Sequence, residues 1–439
     1  MNDPRSLLDA CGRPACSSAP FLTRRAHLAW LLLYFAVGYF FINVWMDPFG
    51  LSWTAALTLF TPFYAAVVLG GLHACGRRPT RESWLWLAAL LAAGASLSLP
   101  WAFTILGGLQ FAGLLVLAAY WTLTAGGRLG AGGHTSQWAP IDALYALVIL
   151  PFGNFGRHAA GLWQMLRQAA AGRRDTRRAV GLLCGAGLSV LLLWMVLPAL
   201  CAADPQFERA FLWLVDALPR LDASSVWTIL FSLPVTAYLY GLFFGTVSGR
   251  RAFSDKRPFC AAAALCQKLP SFSLLLPAGL LSALYLLFLA LQADTLLSGF
   301  LGVLPFGFSY AEYARQGFFE LCRTAAVTGA FLVFFWYAGR RCVERRLRLC
   351  STLLCGLTLL LCAAAFSKLA LYVAAYGMTV KRLLAGAALA WLFFCFAALL
   401  AKLWLHRMRL SLPRAAVFLG TALFLTLALL PPCWLGIAA

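Results

Sequence analysis

Negative charge is scarce in this chain. Aspartate and glutamate together number 15 among 439 residues, against 35 lysines and arginines, and charged residues make up only 11% of the total. An ordinary soluble domain carries about 25% charge, so that class is excluded. Histidine is also rare, and His27, His73, His134, His158 and His406 show no metal-ligand spacing. The 14 cysteines contain no C-x-x-C pair. Cys184, Cys355, Cys362 and Cys395 lie inside apolar runs, where cysteine acts as a small hydrophobe. Cys11 and Cys16 lie in a tail assigned to the reducing cytosol, so no disulfide is expected. There is no G-x-S-x-G, no His–Asp pairing and no Asp-rich motif to supply a nucleophile, a base or a metal site. The glycine-rich loop 126–133, GGRLGAGG, lacks the preceding strand and following Lys-Ser/Thr of a phosphate cradle, and is read as a flexible linker. No catalytic residue, metal or cofactor is predicted, and an enzyme is not expected.

What the chain has is apolar length. Hydrophobic residues make up 62% of it. Runs of about 20 apolar residues, enough to cross a bilayer as a helix, recur from end to end. The prediction is an all-α polytopic integral membrane protein with about 11 transmembrane helices, within a range of 10–12. The expected spans are 28–46, 52–72, 84–99, 102–124, 179–202, 226–247, 274–293, 317–338, 349–373, 383–401 and 415–432. Residues 1–26 form a polar cytosolic tail, and 27–439 form a single multi-span membrane domain. The first run is too long for a signal-peptide core and lacks a small-residue cleavage site, so it reads as an uncleaved anchor.

The net charge of +20 is not evenly spread. Lysine and arginine gather in alternate loops, around 77–81, 173–178, 250–268, 340–348 and 402–414. That is the positive-inside pattern, with the basic face toward anionic phospholipid head groups of the cytoplasmic leaflet rather than toward nucleic acid. It sets the N-terminus in the cytoplasm and, after eleven spans, the C-terminus outside.

Residues 140–152 are apolar but short, bracketed by Pro140 and Pro151, and suit a re-entrant or interfacial piece. Beyond them Phe155, Ala159, Leu162, Leu166 and Ala169 share one helical face. Arg157 and Arg167 lie off that face, and Arg173, Arg174, Arg177 and Arg178 follow. This is a basic amphipathic helix expected to lie along the inner leaflet, its arginines toward anionic lipid. Docking of a partner protein is the sharper alternative. The acidic loop 203–225 is read as solvated, because a hard-cation site needs several converging oxygens.

Two polar stretches remain, and the topology places both outside. Ser309 and Glu312 form a capping box, so a helix starts there. From it Ser309, Tyr313, Gln316, Glu320 and Arg323 recur on one face, with Tyr310 and Arg315 nearby. Glu320 and Arg323 are three apart and can pair. Either they form a polar site just below the membrane surface, or Arg323 snorkels to the headgroups while Glu312 only caps. The second stretch is SKLALYVAAYGMTVKR, 367–382. If the backbone stays helical, Lys368, Tyr372, Thr379 and Arg382 share a face. Gly377 makes a break equally plausible. Tyr376 belongs to the same stretch. The two helix ends either converge on one site, with Lys368 or Arg382 facing Glu312 or Glu320, or form separate interfacial belts of Tyr, Lys and Arg.

YAEYARQGFFEL, 310–321, and LYVAAYGMTVKR, 371–382, resemble a family of bacterial membrane proteins described as domain of unknown function 4173, related to 4153. CAADPQF at 201–207 and YLLFLALQ at 285–292 are similar to the same family, which covers roughly 140–400. After Gln292 the chain carries Ala293-Asp294-Thr295-Leu296 where many relatives have an aromatic, glycine-containing turn. The resemblance implies a multi-pass protein of the bacterial plasma membrane and no particular reaction. Two readings of function follow. One is a transporter or permease-like protein that takes a small polar solute at the outer polar site. The other is a partner-dependent sensor or envelope-assembly component without transport or catalysis, its protein partner unknown.

Overall fold

The structure is a computed structural model. It describes residues 24–46, 52–101, 106–130, 134–136, 139–171, 223–248, 271–291, 293, 318–338, 345–405, 412–431 and 433. The helices are α1 (Arg24–Met46), α2 (Trp53–Ala74), α3 (Arg81–Ser96), α4 (Gly108–Ala125), α5 (Ala139–Leu144), α6 (Leu150–Gly153), α7 (Arg157–Ala171), α8 (Ala223–Ser248), α9 (Ser271–Leu291), α10 (Phe318–Ala338), α11 (Arg345–Tyr376), α12 (Val380–Trp404) and α13 (Leu412–Leu429). Among the described residues, eight segments are long and apolar enough to cross a membrane. The chain is an all-α polytopic membrane protein, because only helices let such apolar segments satisfy their backbone groups without water. The expected span 179–202 and the loop 203–222 lie outside the described residues.

The chain divides into two compact units. In one, α1 packs along α8 and α2, and α8 also carries α6 and α7. Tyr34, Tyr240 and Phe243 meet at its centre, with ring centroids 5.6 and 5.2 Å from Tyr34. Close approach needs small residues. A methyl group at Gly38 would collide with Thr236 Oγ1, and one at Gly71 with the Phe243 ring.

The other unit joins segments distant in sequence. α4 packs with α3 and α5, which both pack with α13; α13 packs with α12, α12 with α11, and α9 and α10 against α11. Its largest apolar cluster gathers Tyr285 from α9, Leu321, Ala325 and Leu332 from α10, Leu354 to Leu369 from α11, and Leu389 and Phe396 from α12.

Two expectations for the loops are corrected. Residues 140–152 do not form a piece bracketed by prolines. α5 runs through a π-helical turn, Tyr145–Ile149, directly into α6, and Ala139–Gln164 counts as a candidate span. Pro140 sits in the first turn, where no N–H is missed. Pro151 lacks the N–H that would bond the Leu147 carbonyl, and the Tyr238 hydroxyl donates to that oxygen instead, at 2.7 Å. The loop 126–133 is likewise no free linker at its start. Gly127, with φ +67°, ends α4 in a Schellman motif: Gly127 N donates to Thr124 O at 3.0 Å and Arg128 N to Leu123 O at 3.1 Å. Gly130 N then donates to both carboxylate oxygens of buried Asp142, each at 3.2 Å.

Candidate functional site

Among the described residues, polar chemistry collects at two places, both in the second unit. The first was not foreseen. Thr80 caps α3, accepting from Ser83 N at 3.3 Å and donating to the Thr124 carbonyl of α4 at 3.0 Å. The next turn buries Glu82 at 5% exposure, ahead of the apolar run that starts at Trp84. Its Oε1 accepts from Thr135 N at 3.0 Å and Trp86 Nε1 at 3.3 Å. Its Oε2 accepts from Arg414 Nη2 at 3.1 Å and lies 3.4 Å from His134 Nδ1. The Thr135 hydroxyl in turn accepts from Tyr120 at 2.9 Å and shares the Trp86 N–H at 3.2 Å. The Trp86 indole lies edge-on to Tyr120 and stacks on Phe418, over which Arg414 also rests.

Burial alone would push the Glu82 carboxyl up. Hydrogen bonds from Thr135 and Trp86 and the Arg414 charge outweigh that and hold it below the usual range. A carboxylate with both oxygens filled is a clamp, not a proton acceptor. It ties the start of α3, the loop after α4 and the start of α13 into one end of the unit. Nothing local in the sequence marks it. Trp86 lies one turn away, but Thr135 and Arg414 lie 53 and 332 residues away, beyond any helical period.

The second place is the far end of α11, where several foreseen residues come together. Lys368 lies two turns inside that end and is 5% exposed. It stands on the helix whose Leu361, Cys362, Ala365 and Leu369 enter the apolar cluster, to which Tyr285, bonded through its hydroxyl to Thr328 Oγ1, also belongs. The backbone breaks at Gly377, φ +74°, so the alternative of one continuous helical face is not taken. Thr379 occupies the N-cap position of α12 without a side-chain cap bond. Arg382 folds back, donating to the carbonyls of Tyr376, at 3.0 Å, and Gly377. Its guanidinium lies 3.9 Å over the Tyr372 ring and 5.7 Å from that of Tyr376. A cation thus caps the negative end of α11.

Arg323 is exposed on α10. Tyr310, Glu312, Tyr313 and Arg315 lie outside the described residues, as does the side chain of Glu320 on α10, so their convergence with Lys368 or Arg382 stays a proposal. In the first unit Arg157 lies over the Phe244 ring and Arg167 over that of Trp163. Arg173, Arg174, Arg177 and Arg178 are outside the described residues. α7 turns His158 into the unit, where its Nε2 is 3.0 Å from the Leu31 carbonyl, and leaves Phe155, Ala159 and Trp163 exposed. Among the described residues, no three His, Cys, Asp or Glu side chains come together.

No curated protein and no solved structure matches the chain. A family model matches residues 85–435, a stretch that begins inside α3, three residues after Glu82, and takes in the α11–α12 turn. The chain belongs to the family described as Domain of unknown function (DUF4153).

Proposed function

We propose that the chain is a permease-like protein of a bacterial plasma membrane that recognises a small anionic solute at the α11–α12 end. Lys368 carries this reading. A lysine buried in a spanning helix is costly and marks a solute or ion path by default. Tyr372 stands one turn beyond it, and Tyr376 and Arg382 follow at the surface. The resemblance of 310–321 and 371–382 to family 4173 groups the same residues. In this reading Tyr310, Glu312, Tyr313, Arg315, Glu320 and Arg323 complete the site from α10 and the stretch before it. The basic loops support an orientation with the N-terminus cytoplasmic, this end outside, and the arginines of α7 toward anionic phospholipid.

Native mass spectrometry of protein released from mild detergent tests the reading. The expected result is a discrete small anion retained by the wild type and lost from Lys368→Met. A protein that co-purifies in fixed ratio, with no small molecule bound, overturns it in favour of the partner-dependent alternative. Cysteine labelling of a variant without the 14 native cysteines tests the orientation. A cysteine at Thr379 should label from outside intact cells, and labelling only after lysis reverses the topology.

A further inference from the structure

At the apolar cluster around α11, Tyr285 and Thr328 stand out because their hydrogen bond joins two helices, α9 and α10, rather than staying within one. The buried face of α9 includes Ala278, Ser282 and Tyr285, and that of α10 includes Ala325, Thr328 and Leu332. Spacings of three and four put each set on one helical face, and both helices pack on α11. The Thr328 hydroxyl donates to the Thr324 carbonyl of its own helix at 2.9 Å. Its proton is therefore engaged, and the bond between Tyr285 and Thr328 Oγ1 is donated by the phenol. The Cys362 thiol of α11, also buried, lies near enough to act electrostatically on the Tyr285 hydroxyl.

Cys362 fixes the level of that bond relative to Lys368. It lies six residues before the lysine, about 9 Å along α11 and away from the Tyr376 end. A solute that reaches Lys368 from the Tyr376 end and moves on along α11 thus meets α9 and α10 tied together. The tie is strong enough to close, because water does not compete inside the cluster. It is weak enough to open, because a hydrogen bond between membrane helices shifts the balance of made and broken forms only about threefold on average. Its direction suits an anion. When the bond parts, Tyr285 has a proton to offer, while the Thr328 proton stays on Thr324.

We infer, resting on the permease reading of Lys368, that Tyr285 and Thr328 form a gate on the solute path, closed by their hydrogen bond and opened when Tyr285 donates to the passing anion instead. Lys368 attracts the anion by charge, and Tyr285 admits it by exchanging one acceptor for another. Thr358, fully buried and one turn beyond Cys362, lies on the far side of the gate from Lys368.

Thiol accessibility on the full chain tests this, with the native cysteines replaced and one reporter cysteine present at a time. The probe is the membrane-impermeant anion sulfonatoethyl methanethiosulfonate, applied to intact cells and to inverted vesicles. Lys368→Cys should react from one side and defines the entry side. From that side Thr358→Cys should react slowly while Tyr285 is intact. Tyr285→Phe, which removes only the hydroxyl, should speed that reaction roughly threefold to fifteenfold, the range expected for one intramembrane hydrogen bond. Thr328→Val removes the acceptor and should give the same increase, and it makes the test should Tyr285→Phe fail to fold. An unchanged Thr358→Cys rate in a folded variant overturns the gate alone. So does an equal rise at native Cys355, kept as the single cysteine, because its thiol is bonded to the Phe396 carbonyl at 3.2 Å and its exposure would mean general loosening. No reaction of Lys368→Cys from either side overturns the gate and the permease reading together, since no aqueous path then reaches that end.

Discussion

The two polar ends of the second unit are built in opposite ways. At the Glu82 end the bonds that join helices reach across the chain, tying residue 82 to 135 and 414, and 80 to 124. At the α11–α12 end the bonds are local. Arg382 reaches carbonyls five and six residues back and rings six and ten residues back. A long-range clamp fixes tertiary structure, because losing one partner leaves buried donors stranded. A local cap fixes one turn, and its loss is absorbed by water at an exposed helix end. The difference predicts a ranking of mutational effects.

The largest effect should come from Glu82→Ala. It leaves Thr135 N and Arg414 without their acceptor, and the Trp86 indole with the Thr135 hydroxyl alone. The expected cost is about 2–4 kcal/mol, toward the low side of a fully buried pair because Arg414 is partly exposed. Thermal unfolding in mild detergent should show it as the greatest loss among single changes at either end. An unchanged midpoint would mean that the clamp is redundant and would remove the contrast.

Acid sharpens the same point. The folded carboxyl of Glu82 is held below its unfolded value, about 4.3. Its contribution is therefore present in full above that value and disappears as pH falls through the folded one. Wild type and Glu82→Gln should differ at pH 7 and converge toward pH 3. A gap that stays constant over that range would show that packing, not charge, holds the end together.

A smaller effect belongs to the first unit, where the π-helical turn depends on one hydroxyl. Tyr238→Phe removes the donor to the Leu147 carbonyl that Pro151 leaves free. The cost should be about 1–2 kcal/mol. Replacing Pro151 with alanine in the same background should restore most of it, by returning an N–H to the helix. That rescue is the informative result, because a merely structural loss of the tyrosine would not respond to residue 151.

How much of this could be read from the chain follows the same division between local and distant. Helices α2, α4, α8, α9 and α11 to α13 were legible because a span needs only length and apolarity. α11 came out longer than its expected 349–373 because Arg345 and Tyr376 extend it past any hydrocarbon boundary. The cluster of Tyr372, Tyr376 and Arg382 was legible as a neighbourhood, since its members lie within eleven residues of sequence. The Glu82 end was not. A glutamate before an apolar run reads as a helix-start acid, and nothing near it announces Arg414. Misreading of 126–130 and 140–152 had one cause. Glycine and proline were taken as breakers, while Asp142 and Tyr238 supply from elsewhere the bonds that keep the backbone ordered.

The smallest effect should be at Arg382. The residue donates to the last carbonyls of α11 and stacks on Tyr372, but it is only partly buried, and water can reach both bonds. A cation at a helix end contributes about 0.3–1 kcal/mol, and an exposed cation–π contact about 0.5–1 kcal/mol. Arg382→Ala should therefore lower stability by about 1 kcal/mol at most, well below Glu82→Ala. Arg382→Lys should recover the charge but not the two-carbonyl fork, leaving roughly half the loss. High salt should shrink the charge component of the Arg382 effect and leave most of the Glu82 effect, because screening reaches exposed charges first. Equal salt sensitivity at the two ends would mean that the Glu82 clamp is wetter than its burial implies, and the two ends would then differ in span of sequence alone.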